Sequence, residues 1–198
     1  MVMGRPREFD TVKALDKAVE LFWEKGYEGT SLTDLTKAIG VNKPSLYAAF
    51  GSKEQLFLKA LDRYHERIRL FAAHLLTLPS ARDSIEAFLC ALATFQSAPG
   101  TPHGCLLVQG ALAASDESRR VREILCEIRE LGVEVLRRFL QRAHDQGELP
   151  PGINLVTLAR YFVTLYQGIS VQAAGGVPTE ELHNIISIAM GCWPENHS

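Results

Sequence analysis

An all-α fold of about nine helices is what this 198-residue chain predicts, on three observations. Apolar residues recur with helical spacing over nearly the whole length, and no segment reads as a strand. The periodic segments open on Ser, Asn or Asp and close on Gly, with Pro between them, which is how helices are punctuated. No apolar run approaches the roughly twenty residues that span a bilayer, so these helices bury their apolar faces on one another and no membrane is expected.

Taken in order, the first helix runs from Asp10 to Lys25 with Val12, Leu15, Val19, Leu21, Phe22 and Trp23 in its stripe, and Gly26 stops it. Ser31 caps the second, where Asp34 three residues on makes a capping box with a shortened acid. Leu32, Leu35 and Ile39 form its apolar face and Gly40 ends it. After a turn at Val41-Asn42 comes a helix of about two turns, opened by Pro44 and closed at Gly51. Ser52, with Gln55 at the box position, starts a helix to about Leu78. Ser80 caps the next, to about Ser97. "SAPGTPHG" is a loop by its two prolines and two glycines. Helices follow from Gly104 to Ala114, from Glu117 to Gln146, from a cap at Asn154 to Ala174, and from beyond Pro178 to near Gly191.

Composition bounds the function. Hydrophobic content of 46% and charged content of 22% are ordinary for a globular chain. The start, MVMGRPREFDTV, lacks an apolar signal-peptide centre, so the cytoplasm is the expected compartment. Cys90, Cys105, Cys126 and Cys192 form no C-x-x-C pair and no zinc-like spacing, and reduced thiols are expected. No G-x-S-x-G, H-E-x-x-H or phosphate-binding Gly loop is present, so neither an enzyme nor a cofactor or metal is expected. Up to Tyr64 the chain carries ten Lys and Arg against nine Asp and Glu, a net of +1. If this region grips nucleic acid, it does so with a few placed cations.

The stretch 31–50 reads as helix, glycine turn, helix, the layout whose second helix lies in the DNA major groove. Leu35, Ile39, Val41, Leu46 and Phe50 are spaced to pack the two helices together and on the first. Pro44 falls in a first turn, where no intrahelical hydrogen bond is lost. Lys43, Pro44, Ser45, Tyr47, Ala48 and Ala49 remain outward. Small alanines let the backbone approach base edges and touch a thymine methyl. Ser45 can donate to a phosphate or a base, Tyr47 to a phosphate oxygen, and Lys53 offers charge and amide donors at a helix start. Ser31 and Thr33 stand at the opposite phosphate wall. Lys37, Lys13, Arg5 and Arg7 add weaker attraction.

Read at greater length, "AVELFWEKGYEGTSLTDLTKAIGVNKPSLYAAFGSKEQLFLKAL" resembles the amino-terminal domain of the tetracycline-repressor (TetR/AcrR) family of bacterial transcription regulators. The matching features are Phe22, Gly26-Tyr27, Thr30-Ser31, Leu35, Gly40-Val41, Leu46-Tyr47, Phe50, Lys53, Leu56 and Leu61, within a likeness covering about residues 8 to 68. The resemblance implies a homodimer of all-helical subunits, with a helix-turn-helix DNA-binding domain over 1–68 and a larger ligand-binding and dimerisation domain over 69–198. It places Lys43, Pro44, Ser45, Ala48 and Ala49 toward bases, Tyr47, Lys53 and Ser31 toward phosphates, and Thr33 where a longer polar reader often stands. Family members often carry His or a second aromatic at the positions of Ala48 and Ala49, and Arg at that of Thr33. The operator sequence is therefore open. The implied function is a repressor released from a palindromic duplex operator by a small-molecule effector.

For the effector, Phe88, Phe95, Leu106, Phe139 and Phe162 supply candidate apolar lining, with Cys105, Gln109 and Tyr166 among the candidate polar groups. Cys105 opens a helix, where a thiol is activated, so a redox or electrophile sensor is one reading and a small buried packing residue the other. A helical enzyme with Cys105 as nucleophile and His103 as base is a further reading, lacking a third orienting group. The helix 154–174 is apolar on more than one face, as is the last helix. Together they suit a four-helix bundle between two subunits.

Overall fold

The computed structural model describes residues 10–75, 78–112 and 118–195. Nine helices occupy them: α1 (Thr11–Gly29), α2 (Leu32–Ile39), α3 (Lys43–Phe50), α4 (Lys53–Leu75), α5 (Ala81–Gln96), α6 (Leu106–Leu112), α7 (Arg119–Asp145), α8 (Leu155–Ala174) and α9 (Thr179–Met190), with no strand among the described residues. The all-α expectation holds.

The local chemistry that starts each helix is visible. Asp10 accepts from the amides of Val12 and Lys13, and Ser31 and Asp34 form the reciprocal box. Asn42, read above as part of a turn, caps α3 by accepting from the Ser45 amide at 2.9 Å. Ser52 and Gln55 exchange amide bonds across the start of α4, while Ser80 and Asn154 cap α5 and α8. Gly40 ends α2 at φ 83°, a left-handed conformation costly for other residues.

Some boundaries move. Gly26 breaks the first helix at φ 71°, ψ 176°, yet helical turns resume to Gly29, because the Thr30 hydroxyl donates to the Gly26 carbonyl at 2.7 Å and ties the kink shut. Val12, expected in the buried stripe, is exposed; Ala14 and Ala18 take its place beside Val19, Phe22 and Trp23. The α6 helix begins at Leu106, two residues after the expected Gly104. The expected ends at Ala114 and Glu117 lie outside the described residues.

Two cores result. The first joins α1–α4 to Cys105, Leu106, Leu107, Val108, Val121 and Leu125, so the amino-terminal helices are packed on α6 and α7. Its centre is aromatic, with Phe22 edge-on to Phe57 at 5.0 Å and Trp23 edge-on to Tyr64 at 5.1 Å. The second core gathers α5, α7, α8 and α9 around Leu89, Leu140, Phe162, Leu182 and Ile186. Gly104 is the joint between them. Its carbonyl accepts from the Trp23 indole at 2.9 Å and its amide donates to Gln96 at 3.0 Å. A Cβ there would sit 2.8 Å from the Ser170 carbonyl and 2.9 Å from the Ala174 Cβ, at φ +78°.

Candidate nucleic-acid interface and effector cavity

On α3, Leu46 and Phe50 point into the first core, which leaves Lys43, Pro44, Ser45, Tyr47 and Ala48 exposed. That is a short convex face of small and hydroxyl-bearing side chains clamped from behind. Thr33, on α2, is exposed beside it. Ala49 departs from the expected outward set: it is half-buried and packs on the first core, because it follows Leu46 by three residues and shares that side of the helix.

Two expected phosphate contacts are modified. The Ser31 hydroxyl donates to Asp34 Oδ2 at 2.7 Å and accepts from the Asp34 amide at 3.0 Å, so its one proton is committed to the cap. Asp34 is held to about 2 by that hydroxyl and the Ser31 amide, and more weakly by Lys25 at 3.4 Å. Lys53 is half-buried, with its Nζ 4.3 Å from the centre of the Tyr27 ring. Burial lowers its pKa, opposed by Glu28. The capping box takes the Ser52 and Gln55 amides, which leaves the Lys53 and Glu54 amides of the first turn of α4 for this face. Lys37 and Lys43 are exposed, Lys13 pairs with Asp10, and Arg5 and Arg7 lie outside the described residues.

A cavity of about 180 Å³ lies between α4, α5, α6, α7 and α8. Of the candidate lining residues, Phe88, Phe162 and Tyr166 stand in its wall. Five other candidates do not. Phe95 is turned onto Trp23, with centroids 5.4 Å apart. Leu106 is wholly buried in the first core. Gln109 reaches back to the His103 carbonyl at 3.4 Å, and Phe139 lies 5.8 Å from the Arg142 guanidinium. Cys105 is fully buried and its sulfur accepts from the Tyr166 hydroxyl at 2.8 Å. His103 is exposed, so this thiol and this imidazole do not form a catalytic pair.

Around that thiol the polar groups are sealed. Burial first, then Cys105, pushes the Tyr166 and Tyr64 hydroxyls well above their ordinary range. Gln96 donates to the Tyr166 hydroxyl at 3.4 Å, and Tyr64 Oη has no hydrogen-bond partner. Tyr166 therefore belongs to both places, its ring on the cavity and its hydroxyl at the joint.

The cavity also takes His65, Ile85, Leu107, Arg129, Leu136 and Gln167 into its wall. His65 and Arg129 escaped the sequence reading. One available signal was Gly132, unusual in the middle of the long α7; it lines the cavity, and a Cβ added there would meet nothing within 4 Å. On the far side of the body, Val156, Tyr161 and Val171 of α8 and Ile185 and Ile188 of α9 are exposed. Among the described residues no group of three His, Cys, Asp or Glu is placed to hold a metal ion, and no helix is long and apolar enough to cross a membrane.

Comparison with known proteins agrees with this geometry. The model for bacterial regulatory proteins of the tetR family matches residues 14–60, and that for the tetracyclin repressor-like C-terminal domain matches residues 81–175. The HTH-type transcriptional repressor ComR of Escherichia coli (strain K12) is 36% identical over 97% of this chain and 92% of its own length. YezE of Bacillus subtilis (strain 168), an HTH-type transcriptional regulator, is 32% identical over 80% of this chain and 83% of its own. Among solved structures, a cysteine mutant of the TetR family regulator CifR complexed with 26 bp double-strand operator DNA superposes with a TM-score of 0.92 at 38% identity, covering 96% of this chain and 100% of that one. With both family models matched in order and relatives of this identity along almost the full length, the chain belongs to the TetR family of bacterial transcriptional regulators.

Proposed function

We propose that this DNA-binding transcriptional regulator represses its target as a homodimer, in the cytoplasm, on a palindromic duplex operator, and leaves it when a small molecule fills the cavity. The observation that carries the reading is the outward face of α3: Lys43, Pro44, Ser45, Tyr47 and Ala48 exposed, with Leu46 and Phe50 locked behind them. Thr33 and the amide end of α4 flank it. CifR, similar along the whole chain, is known bound to operator DNA. The exposed apolar residues of α8 and α9 are the surface on which a second subunit closes a four-helix bundle. Two α3 helices then enter successive major grooves about 34–36 Å apart.

The division into a DNA-binding region over 1–68 and an effector region beyond it has a physical consequence. Helix α4 passes through position 68 unbroken, starting at the DNA face with Lys53 and lining the cavity with His65, Ile68 and Ala72. A ligand that fits one tilt of α4 better than another changes the spacing of the two α3 helices. The coupling equals its difference in affinity for the two arrangements.

The test is fluorescence anisotropy on duplex DNA from the region upstream of the chain's own gene. Tyr47→Phe and Lys43→Ala are expected each to weaken binding severalfold or more, with the dimer intact by sedimentation and a lower salt dependence for Lys43→Ala. Unchanged affinity in both variants would remove the assigned DNA face.

A further inference from the structure

We infer that the cavity selects a compact apolar carboxylate, a single ring or short chain with one anionic group, and that Arg129 is its anchor. This rests on the reading of the cavity as the effector site and adds the chemistry of its occupant.

Size comes first. About 180 Å³ is close to the ~150 Å³ of an apolar protein cavity that takes up benzene, and well short of the ~300 Å³ where sites for drug-sized ligands begin. The wall is hydrocarbon, with Ile85, Phe88, Leu107, Leu136 and Phe162 prominent, which favours an apolar body.

Charge comes second. No Asp or Glu lines the cavity, and Arg129 does. Arg129 is half-buried and stands between this cavity and an adjoining polar pocket that it lines with Cys126 and Glu130. Its guanidinium has five N–H donors, and the hydrogen bond it makes among the described residues is to the Cys126 sulfur at 3.1 Å, a weak acceptor. The adjacent carboxylate, Glu130, feels the Arg129 charge, but both its oxygens are held by Arg160 at 2.9 and 2.8 Å. Elsewhere on α7, Arg137 and Arg138 share Glu134 at 2.7 and 2.8 Å. Arg129 is thus an arginine at a hydrocarbon cavity with no carboxylate within ion-pair distance among the described residues.

The alternatives fit less well. A neutral apolar ligand covers a guanidinium without answering it, at a desolvation cost. A cation meets Arg129 with no acid to offset the repulsion. A carboxylate takes the guanidinium fork in two parallel bonds while its body lies in the hydrocarbon wall. Gln167 and His65 add polar N–H groups to the wall, and Gly132, one turn along α7 from Arg129, leaves the space open.

The test compares benzoate with benzyl alcohol, a neutral molecule of similar size, on the full-length protein. Thermal shift reads binding and anisotropy reads release of operator DNA. The expected result is a rise in Tm and release with benzoate, and a response at least tenfold weaker with benzyl alcohol. Arg129→Met is expected to weaken benzoate about tenfold or more and Arg129→Lys to restore part of the loss. If benzyl alcohol equals benzoate, or Arg129→Met leaves benzoate unchanged, the anionic selection is wrong while the effector site stands. If neither compound binds and operator affinity is normal, the compact-carboxylate assignment falls while the cavity's reading as the effector site is left to other ligands. The wild-type comparison of the two compounds decides the matter even if Arg129→Met fails to fold.

Discussion

The amino-terminal helices and the body behind them are made of the same kind of helix, yet they treat polar groups and space differently. In α1–α3 every start is capped by a side chain, the core holds Phe22, Leu35 and Val19 fully buried, and no buried polar side chain is left without a partner. From α4 onward the described residues include four buried side-chain atoms that make no hydrogen bond within the chain, on Tyr64, Ser84, Gln96 and His144, whose Nδ1 lies 3.6 Å from Asp145, together with a cavity and a glycine that leaves it room. The first arrangement fixes one shape, which a surface read by rigid DNA requires. The second leaves room for more than one arrangement, which a ligand can bias. The proposed division of function follows the same line.

The largest expected effect tests whether the two regions are mechanically one. Phe22 is fully buried, edge-on to Phe57 and stacked near Tyr27 at 6.3 Å. Phe22→Ala is expected to cost about 3–5 kcal/mol. Because the first core runs on into Leu106, Val121 and Leu125, the loss belongs to the whole chain. Calorimetry should show one transition moved down. Two separate transitions, with only the first shifted, would mean that the amino-terminal helices unfold alone and that α4 is not a stiff link.

A smaller effect sharpens the contrast in the use of space. Gly132→Leu starts from a Cβ position with no atom within 4 Å and extends a side chain into the space where a ligand would sit. Stability is expected to hold or rise by up to about 1 kcal/mol, since Gly is the weaker helix former. Operator binding should persist while release by benzoate is lost. A variant that still releases DNA would place the effector elsewhere.

The contrast also explains what was legible before any coordinates. Caps and turns depend on residues three or four apart, so Ser31 with Asp34, Ser52 with Gln55, and the Gly40 turn could be read directly. The expected outward α3 residues other than Ala49 follow from the placement of Leu46 and Phe50. What local pattern leaves open is tertiary. The capping role and the expected phosphate role of Ser31 draw on one hydroxyl, and spacing alone does not say which of them takes it. Phe95, Leu106 and Phe139 are apolar like Phe88 and Phe162, and only the register between helices decides which of them meets the cavity. Arg129 sits among the arginines and glutamates of α7; its lack of a carboxylate appears only once Glu130 is seen turned to Arg160.

The smallest expected effect concerns acid, and it belongs to the rigid region. Asp34 titrates at about 2 in the folded chain against 3.8 ordinarily, chiefly through the Ser31 hydroxyl and amide. A carboxylate depressed on folding stabilises the fold above its unfolded pKa, and that contribution fades as pH falls toward the folded value. The window is therefore from about 4 down to about 2, with the ionised form favoured above it. The carboxylate is at the surface, so solvent screens it and the effect is slight. Asp34→Asn should flatten the fall of the urea midpoint across that window while leaving the midpoint at neutral pH lower by a small amount, from the weakened cap. An unchanged slope would show that the box at Ser31 contributes geometry to the DNA face and no measurable electrostatic stability.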